Sequence, residues 1–562
     1  MKRWGACCGA LAALLFSSVA SGQVQLVTAQ QILTGDPAMA SVQAMAFDRR
    51  SGRVLALGSA AQLQRQYPQA SPLALGTATV VPGLIDAHAH LVNLGHILSE
   101  ANLWGVDSKE EVIARLQAAE KTLAPGQWLI GRGWDQNLWP GKAFPTAADL
   151  DAAFPERPVY LDRVDGHAAW VNTAALRLAQ QQGRSLAGDW QPDGGHIQRN
   201  GDGQPRGVLI DAAANLVAMH IPAHAPAELD RRLGQALAVA VANGLTGVHD
   251  MGVSRDELAR FARFADAGKL PLRIDAYAAG DGDALADLCA NGLYRHAGGR
   301  LQMRGVKLFV DGALGSRGAA MLAPYSDDPH NHGLLMMTPQ AHLAVSRKAA
   351  ACGVQVASHA IGDRGNQVVL DNYQSVLAGQ GAADLRWRVE HAQVLADADI
   401  ARFGRLGVIA SMQPTHATSD MGWAQDRVGS ERIKGAYAWQ RLAGSGARLA
   451  LGSDFPVEQV DPRLGLQAAV TRQDGKGLPA GGWQADQRLS AQQALAGFTS
   501  GAAYAGFDER EVGMLRQGLR ADFVVLDGNP LQVAGGQLSA LQVLSTWVDG
   551  APVYQAEQAP GR

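Results

Sequence analysis

Eight short apolar runs, most of them separated by helix-length stretches, constrain the fold of this chain more than any other feature. Alternation of short apolar strands with helical stretches is typical of parallel βα units. Eight such units predict a (β/α)8 barrel of the TIM type, whose functional residues lie at the carboxyl ends of the strands. The runs cover residues 80–87, 244–250, 270–278, 303–312, 353–360, 385–392, 406–413 and 447–454.

Two regions do not fit the eight βα units. The stretch between the first and second runs is far longer than a βα loop and contains strand-like segments of its own. We predict an inserted α+β subdomain there, over about residues 105–240, within a barrel domain spanning 83–500. The two ends of the chain carry alternating strand patterns with Gly, Asp and Asn turns. They predict one composite β-sandwich domain, built from residues 23–82 and 501–562.

The first 22 residues have the pattern of a secretory signal peptide. A basic start, "MKRW", precedes the short apolar segment "GALAALLFSSVA", and small residues follow, with cleavage expected after Ala20 or Gly22. The alternative is an unprocessed, slightly apolar N-terminus. No later segment is long and apolar enough to form a stable membrane anchor. We therefore expect the mature protein to be exported, either to the periplasm or as a secreted protein.

Composition excludes some partners. A formal net charge of -3 and a pI near 6.6 give no electrostatic footprint for nucleic acid. Beyond the signal segment only Cys289 and Cys352 remain, too few for a disulfide framework or a structural zinc site. They are either buried thiols or one bridge, and the sequence leaves this open. It also leaves open whether the chain forms a homodimer.

Six residues at or near the ends of the apolar runs have the chemistry of metal ligands. Residues i and i+2 of a strand point to the same side, so a strand end can aim two histidines of an H-x-H pair at one ion. The ends of barrel strands share one rim, so all six side chains are expected to converge. These residues are His88, His90, Lys307, His359, His391 and Asp454.

The residue types predict a divalent-metal hydrolase site. Neutral imidazole and carboxylate groups suit one or two Zn²⁺ ions. A lysine in an apolar strand is costly as a cation, and a neutral Lys307 can take up CO₂ to form a carbamate that bridges two metals. Asp454 can bind a metal and accept the proton of a bound water, whose pKa the metal lowers to about 7. Singly, each residue has a structural alternative: a core histidine, a snorkelling lysine or a helix-capping aspartate.

The motifs "GLIDAHAH", "VKLFVDGALGSRGAAM", "SHAIGD", "EHAQ", "GSDFPV" and "GLRADFVVLDGNP" resemble those of the amidohydrolase superfamily. The resemblance is to the amidohydrolase-3 branch, which includes N-substituted formamide deformylase, and it covers nearly all of the mature chain. It implies that His88, His90 and Asp454 bind the more buried metal. It also implies that a carbamate on Lys307 bridges this metal to a second one. The second metal would be held by His359 and His391.

Three further residues are candidates for substrate binding. Arg317 follows the fourth run, where a guanidinium can hold a carboxylate or a carbonyl; its alternative is an ordinary loop arginine. His167 lies in the inserted segment, where a histidine can polarise the scissile carbonyl, or belong to the folded core. Trp134 can line an apolar pocket or, more simply, form the core of the subdomain.

Together these features predict an exported, metal-dependent hydrolase of a non-peptide C–N bond in a small-molecule amide, most simply an N-acyl or N-formyl linkage. Asp454 and His359 are the predicted catalytic groups, with hydroxide on the metal as the nucleophile and Asp454 as the proton shuttle. One alternative is hydrolysis of a cyclic amide, a dipeptide-like amide or an ester on the same scaffold. Others are a barrel that only binds its ligand and a glycosidase with paired carboxylates; no strand-end Glu pair stands out beyond Glu390.

Overall fold

The structure is a computed structural model that describes residues 23–163, 168–180, 186–192, 195–379, 381 and 383–557. The side chains of Asn137 and Asp211 are not described. The predicted signal peptide, residues 1–22, lies outside the described residues. In the described part of the chain, no helix combines the length and the apolar character that crossing a membrane requires.

A parallel sheet of eight successive strands forms the centre of the molecule, and each strand pairs with the next in chain order. This confirms the predicted barrel class. Side chains of these strands are almost all buried, as expected when a parallel sheet is covered on both faces. We number the barrel strands 1 to 8: Leu84–Ala89, Leu245–Val253, Arg273–Ala279, Leu301–Phe309, Gln355–Ala360, Arg388–His391, Ile409–Met412 and Leu449–Leu451.

The barrel closes where the end of strand 1 meets the segment that follows strand 8. Ala89 and Phe455 form a parallel bridge, and the backbone N–H of Asp454 donates to the carbonyl of His88 at 2.7 Å. Asp86 reinforces this seam, because its buried carboxylate accepts from the backbone N–H and the hydroxyl of Ser453. The first and last strands are therefore held together beside the predicted metal ligands.

Helices cover the outside of the barrel and connect its strands. The helix before strand 3 illustrates how the sequence sets a helix start, since Ser254 and Glu257 form a reciprocal capping box. The helices of the barrel domain are Leu91–Ile97, Pro226–Ala242, Arg255–Asp266, Asp283–Asn291, Pro339–Ala351, Asp363–Leu377, Asp397–Leu406, Pro414–Asp420, Ala424–Arg432, Trp439–Gly444, Pro462–Thr471, Ala491–Ala496 and Ala502–Ala505.

The two ends of the chain meet in one eight-stranded sheet. Thr79–Pro82, from the N-terminal part, pairs antiparallel with Phe523–Leu526, from the C-terminal part. Val24–Leu33 pairs with two parallel neighbours, Ser71–Ala74 along its first half and Thr79–Pro82 along its second. The remaining strands are Ser41–Asp48, Arg53–Gly58, Val543–Val548 and Ala551–Gln555, and the helix Ala60–Gln66 packs on this sheet.

The segment between barrel strands 1 and 2 forms a separate six-stranded mixed sheet with its own apolar core. Its strands are Ala101–Asn102, Leu129–Trp134, Val159–Arg163, Ala168–Val171, Gly195–Arg199 and Pro205–Asp211. The helices Lys109–Glu120, Ala147–Asp151, Thr173–Gln180 and Asn215–Ala218 accompany it.

The amino-terminal end of the barrel, which we call the base, is closed by protein. Alanine side chains of the helix Ala502–Ala505 pack against residues of strands 1, 7 and 8. The sheet from the chain ends adjoins this end through Arg273, at the start of strand 3, which bonds Asp522 and Asp549. The opposite, carboxyl end of the barrel carries the candidate site, and we call it the mouth.

One covalent bond links two outer helices of the barrel. Cys289 and Cys352 form a disulfide with 5.0 Å between their Cα atoms, which decides the alternative that the sequence left open.

Candidate metal centre

The end of strand 1 places both histidines of the H-x-H pair on the mouth side of the barrel. His88 is completely buried, and its Nδ1 lies 2.6 Å from the Glu390 carboxylate. This contact directs the other ring nitrogen, Nε2, toward the centre of the mouth. Burial, with the amine of Lys307 nearby, lowers the pKa of His88 to about 4. His88 is therefore a neutral imidazole with a free nitrogen, which is the form that binds a metal.

Asp454 faces these histidines from the other side of the barrel seam. Its Oδ1 lies 3.1 Å from His90 Nε2 and 3.6 Å from His88 Nε2. The backbone of Asp454 has a φ of 62°, in the left-handed region, and a non-glycine residue in this region often marks a functional site. Burial by itself raises the pKa of Asp454, but the surrounding imidazoles hold that pKa below its usual range. Asp454 is therefore a carboxylate at neutral pH.

Lys307, on strand 4, reaches the same point from within the barrel. Its Nζ lies 3.0 Å from His88 Nε2, and the side chain is buried. Burial lowers the pKa of Lys307 to about 8. The ring of Phe309, two residues further along the strand, lies 4.9 Å from Nζ. The amine thus lies beside a histidine and an aromatic ring, with no carboxylate within salt-bridge distance in the described residues.

His359 and His391 complete the ring of side chains. Their ring centroids are 4.6 Å apart, and the ring of His391 is 4.8 Å from that of His88. His391 has a φ of 73°, and its Nδ1 lies 2.8 Å from Gln413 Oε1. Burial lowers the pKa of His359 to about 3 and that of His391 well below its ordinary value. All six residues selected from the sequence therefore lie in one continuous cluster.

The cluster fits a divalent ion. His88, His391 and Asp454 each offer a ligand atom, and these atoms lie within 4.8 Å of one another. Ligands at about 2 Å from a zinc ion are up to about 4 Å apart, so only a small contraction would close the site around an ion. The two buried neutral imidazoles and the carboxylate match the nitrogen and oxygen ligands of zinc.

A charged network directly beneath the ligands orients them, and no local sequence pattern predicts it. The guanidinium of Arg388 is buried inside the barrel and donates to both oxygens of Glu390. It also donates to the hydroxyls of Ser411 and Tyr277 and contacts His249. Burial raises the pKa of Glu390, yet Arg388 and His88 together hold that pKa well below its usual range.

Glu390 thus stays ionised and can fix the tautomer of His88, the role that carboxylates next to metal-binding histidines generally have. In the sequence Glu390 directly precedes His391, and no local pattern indicates a contact with His88. Its function depends on the contact with His88, which lies 302 positions away in the chain.

A second buried carboxylate fixes the loop after strand 4. Asp311 accepts hydrogen bonds from the backbone N–H groups of Ala320, Ile361 and Gly362, at 2.8 to 2.9 Å. Its Oδ1 lies 3.6 Å from His359 Nε2. Burial raises the pKa of Asp311 to about 7. Asp311 therefore holds the loop around His359 through backbone contacts.

His416 is a further histidine at the mouth, on the helix Pro414–Asp420 after strand 7. Its ring stacks on that of His391, with centroids 5.8 Å apart. Its Nε2 lies 3.8 Å from Asp454 Oδ2. Because this histidine lies past a strand rather than at its end, the rule used for the other six residues did not select it.

Comparisons with known proteins agree with this geometry. The model of the amidohydrolase family matches residues 74–554. The chain belongs to the amidohydrolase family. It is 36% identical to the Protein LONG AFTER FAR-RED 3 of Arabidopsis thaliana, over 94% of this chain and 91% of that protein. It is 29% identical to the N-substituted formamide deformylase of Arthrobacter pascens, over 90% of this chain and 94% of that protein.

Among solved structures, an uncharacterized metal-dependent hydrolase from Pyrococcus horikoshii OT3 superimposes with a TM-score of 0.75. The two share 29% sequence identity, over 91% of this chain and 99% of that one. This amidohydrolase is accordingly a hydrolase, as predicted. It has a candidate metal site and the fold of a metal-dependent hydrolase.

The three predicted substrate residues are placed differently from the ligands. Arg317 lies in the loop after strand 4 and pairs with Asp327 of the same loop at 2.9 Å, so its guanidinium already has an acidic partner. Trp134 is fully buried in the subdomain core and donates to the carbonyl of Leu161. It therefore packs as core, the alternative stated above, and has no exposed surface for a substrate. His167 lies outside the described residues.

Proposed function

We propose that this amidohydrolase cleaves a non-peptide C–N bond, in an amide or N-acyl compound, with N-formyl amines as the first substrate class to test. The observation that carries the proposal is the position of Asp454, whose carboxylate lies 3.1 Å from His90 Nε2 and 3.6 Å from His88 Nε2. The name of the deformylase relative supports the choice of an N-formyl linkage.

We propose one or two zinc ions as the cofactor. His88, His391 and Asp454 would hold the first ion, with His90 beside the same carboxylate oxygen. His359, next to His391, is the remaining histidine available to a second ion. When bound, a divalent ion supplies a water ligand that ionises near neutral pH and so serves as the nucleophile.

Asp454 provides the proton transfer in this proposal. Its Oδ1 lies next to His88 and His90, whereas its Oδ2 faces His416 at 3.8 Å. A low pKa keeps the carboxylate ready to accept a proton at Oδ2 and to release it to the departing nitrogen. His88 remains neutral and fixed by Glu390 throughout.

We also propose that Lys307 is carbamylated in the active protein. Lys307 Nζ lies 3.0 Å from the ligand nitrogen of His88, so a carbamate on this amine would add an anionic oxygen ligand beside the histidines. Addition of CO₂ to the neutral amine forms a C–N bond and releases one proton, which gives that anion. Intact-protein mass spectrometry of wild type and Lys307→Met, with and without bicarbonate, tests this. An absence of CO₂ adduct in the active wild-type protein would reject it.

We also propose that the protein is exported, and its disulfide supports this proposal. Disulfides form and persist mainly in oxidising compartments, and Cys289 and Cys352 are bonded here. N-terminal sequencing of the mature protein from its native host tests export. Finding Met1 at the N-terminus would contradict it.

The central experiment is a product assay on the zinc-loaded protein. N-formyl, N-acetyl and dipeptide-like amides, a cyclic amide and an ester of the same acids are compared, and amine and acid are both quantified. We expect amine and acid in equal amounts from the acyl amides, fastest with N-formyl compounds. The His88→Ala variant, which removes a ligand nitrogen, should lose zinc and turnover together. Release of product from the ester or the cyclic amide alone would favour those alternatives instead.

A further inference from the structure

Among the histidines that the structure describes at the mouth, His416 is the one that none of the roles above uses. Its side chain is mostly buried, and its Nε2 has no hydrogen-bond partner among the described residues. Buried polar atoms almost always have a partner, from the protein, from water or from a ligand. Nε2 faces the carboxylate of Asp454, whose Oδ2 lies 3.8 Å away.

No neighbouring side chain in the described residues forms a hydrogen bond with Nε2 of His416. His391 stacks on the ring with an interplanar angle of 23°, so it contacts the face and not the edge of the imidazole. Asp420 lies one turn later on the same helix, but Gln393 and Tyr437 both donate to its Oδ2. Asp454 is the one carboxylate within salt-bridge distance of Nε2 in the described part of the chain, and 3.8 Å is too long for a direct hydrogen bond.

We propose that His416 is a catalytic residue whose Nε2–H donates a hydrogen bond to the acyl oxygen of the substrate. This inference rests on the proposed amide hydrolysis and adds to it the residue that holds the oxygen. A neutral imidazole carries its proton on one of its two nitrogens. The carboxylate oxygen 3.8 Å away favours the proton on Nε2, which makes this nitrogen the donor.

In this arrangement the nitrogen of the amide faces Asp454, and its acyl oxygen faces His416. Oδ2 of Asp454 returns the proton to the departing nitrogen, so that nitrogen lies next to Oδ2. The acyl oxygen is bonded to the same carbon as the nitrogen, and it therefore lies within a few ångströms of Oδ2 as well. His416 Nε2 is at that distance. As the carbon is attacked, the acyl oxygen gains negative charge, and a fixed donor then stabilises it more than in the ground state.

The test compares two substitutions that differ in one N–H group. His416→Phe keeps a stacked ring but removes the donor, whereas His416→Gln places an amide N–H near the position of Nε2. His296→Gln, next to Asp266 at the base of the barrel, is the matched control. Zinc per chain, kcat and KM for an N-formyl amine, and the Kd of formate for the zinc-loaded protein are measured for each variant.

We expect His416→Phe to retain its zinc and to lose about 10² to 10³ in kcat with little change in KM, the usual effect of removing one such donor. Formate presents an equivalent oxygen, and it should bind to His416→Phe more weakly than to wild type. His416→Gln should recover part of both losses, and His296→Gln should match wild type. A merely structural histidine would not give recovery by glutamine together with unchanged zinc content.

Two results would overturn the inference. Loss of zinc from His416→Phe to the level of His88→Ala would make His416 a metal ligand. Unchanged formate affinity in zinc-replete His416→Phe would show that the acyl oxygen is held elsewhere. Failure of the proposed function looks different, because wild type itself would then release no amine from any amide, while the formate measurement still tests His416.

Discussion

The two ends of the barrel use the same kinds of charged side chain in opposite ways. At the base, Arg273 donates to Asp522 at 2.8 Å and also to Asp549. Arg300 and Arg520 donate to the same Asp549 carboxylate. Every charge of this base network therefore has an opposite charge in contact, as is usual for buried ions.

At the mouth, the pattern is reversed. Lys307 contacts a histidine, Nε2 of His416 has no partner in the described residues, and the ring of Phe309 is 44% exposed. His391 and Asp454 both adopt left-handed backbone conformations. Unpaired groups and local strain cost stability, and proteins tolerate them mainly where a ligand completes the arrangement. The base is thus built for stability and the mouth for binding and chemistry.

The largest functional effect should follow from Asp454→Asn. The amide keeps the shape of the side chain but cannot accept a proton at neutral pH, and loss of such a group costs about 10² to 10⁴ in kcat. kcat is measured with zinc in excess and metal content determined on the same sample, with Asp266→Asn at the base as the control. Near wild-type kcat in a metal-replete variant would mean that the proton moves through another group.

The base should respond in stability and not in chemistry. Arg273→Met leaves Asp522 and Asp549 without their shared partner, and breaking a buried ion pair from one side typically costs about 3 to 5 kcal/mol. We expect a lower free energy of unfolding in urea and an unchanged kcat for the folded fraction. A variant with wild-type stability and reduced kcat would contradict the division between base and mouth.

This cost should depend on pH. Burial raises the pKa of Asp549, but Arg273 and its neighbours lower it to about 2. A carboxylate with a depressed pKa in the folded state stabilises the protein fully above its ordinary pKa of about 4. That stability is lost as the pH falls from about 4 toward 2. The difference between wild type and Arg273→Met should therefore shrink over this range, as urea unfolding at several pH values would show.

Glu390→Gln tests the layer between the two ends. The amide no longer provides a negative charge for Arg388 or a strong acceptor for His88 Nδ1. Loss of such a partner of a metal-binding histidine typically weakens metal binding by about 10- to 100-fold. Zinc affinity by competition with a chelator is the measurement, and Glu511→Gln, in a surface ion pair with Arg53, is the control. Equal zinc affinity in both variants would remove Glu390 from the metal site.

The smallest effect on chemistry should come from Trp134→Phe. This substitution leaves a cavity in the subdomain core and removes the hydrogen bond to Leu161. We expect a loss of about 1 to 3 kcal/mol in stability, which is usual for a core truncation, with an unchanged ranking of substrates. A changed ranking of substrates at constant stability would return Trp134 to the substrate pocket.

The barrel and the residues at its mouth could be predicted from the amino-acid sequence. Short apolar runs form buried parallel strands because their side chains must leave water, and alternation fixes which side each residue faces. His88, His359 and Asp454 could therefore be placed at one rim without any tertiary information. The two ends of the chain were also recognisable as strands, since their alternating pattern is local.

The tertiary structure alone decided the contacts between residues that are distant in the chain. Glu390 meets His88, Cys289 meets Cys352, and His416 faces Asp454 only because the strands close into a barrel with a particular stagger. The direction of a side chain such as Trp134 likewise follows from the packing around it. These outcomes depend on the relative positions of whole elements, and local residue patterns carry no information about such positions.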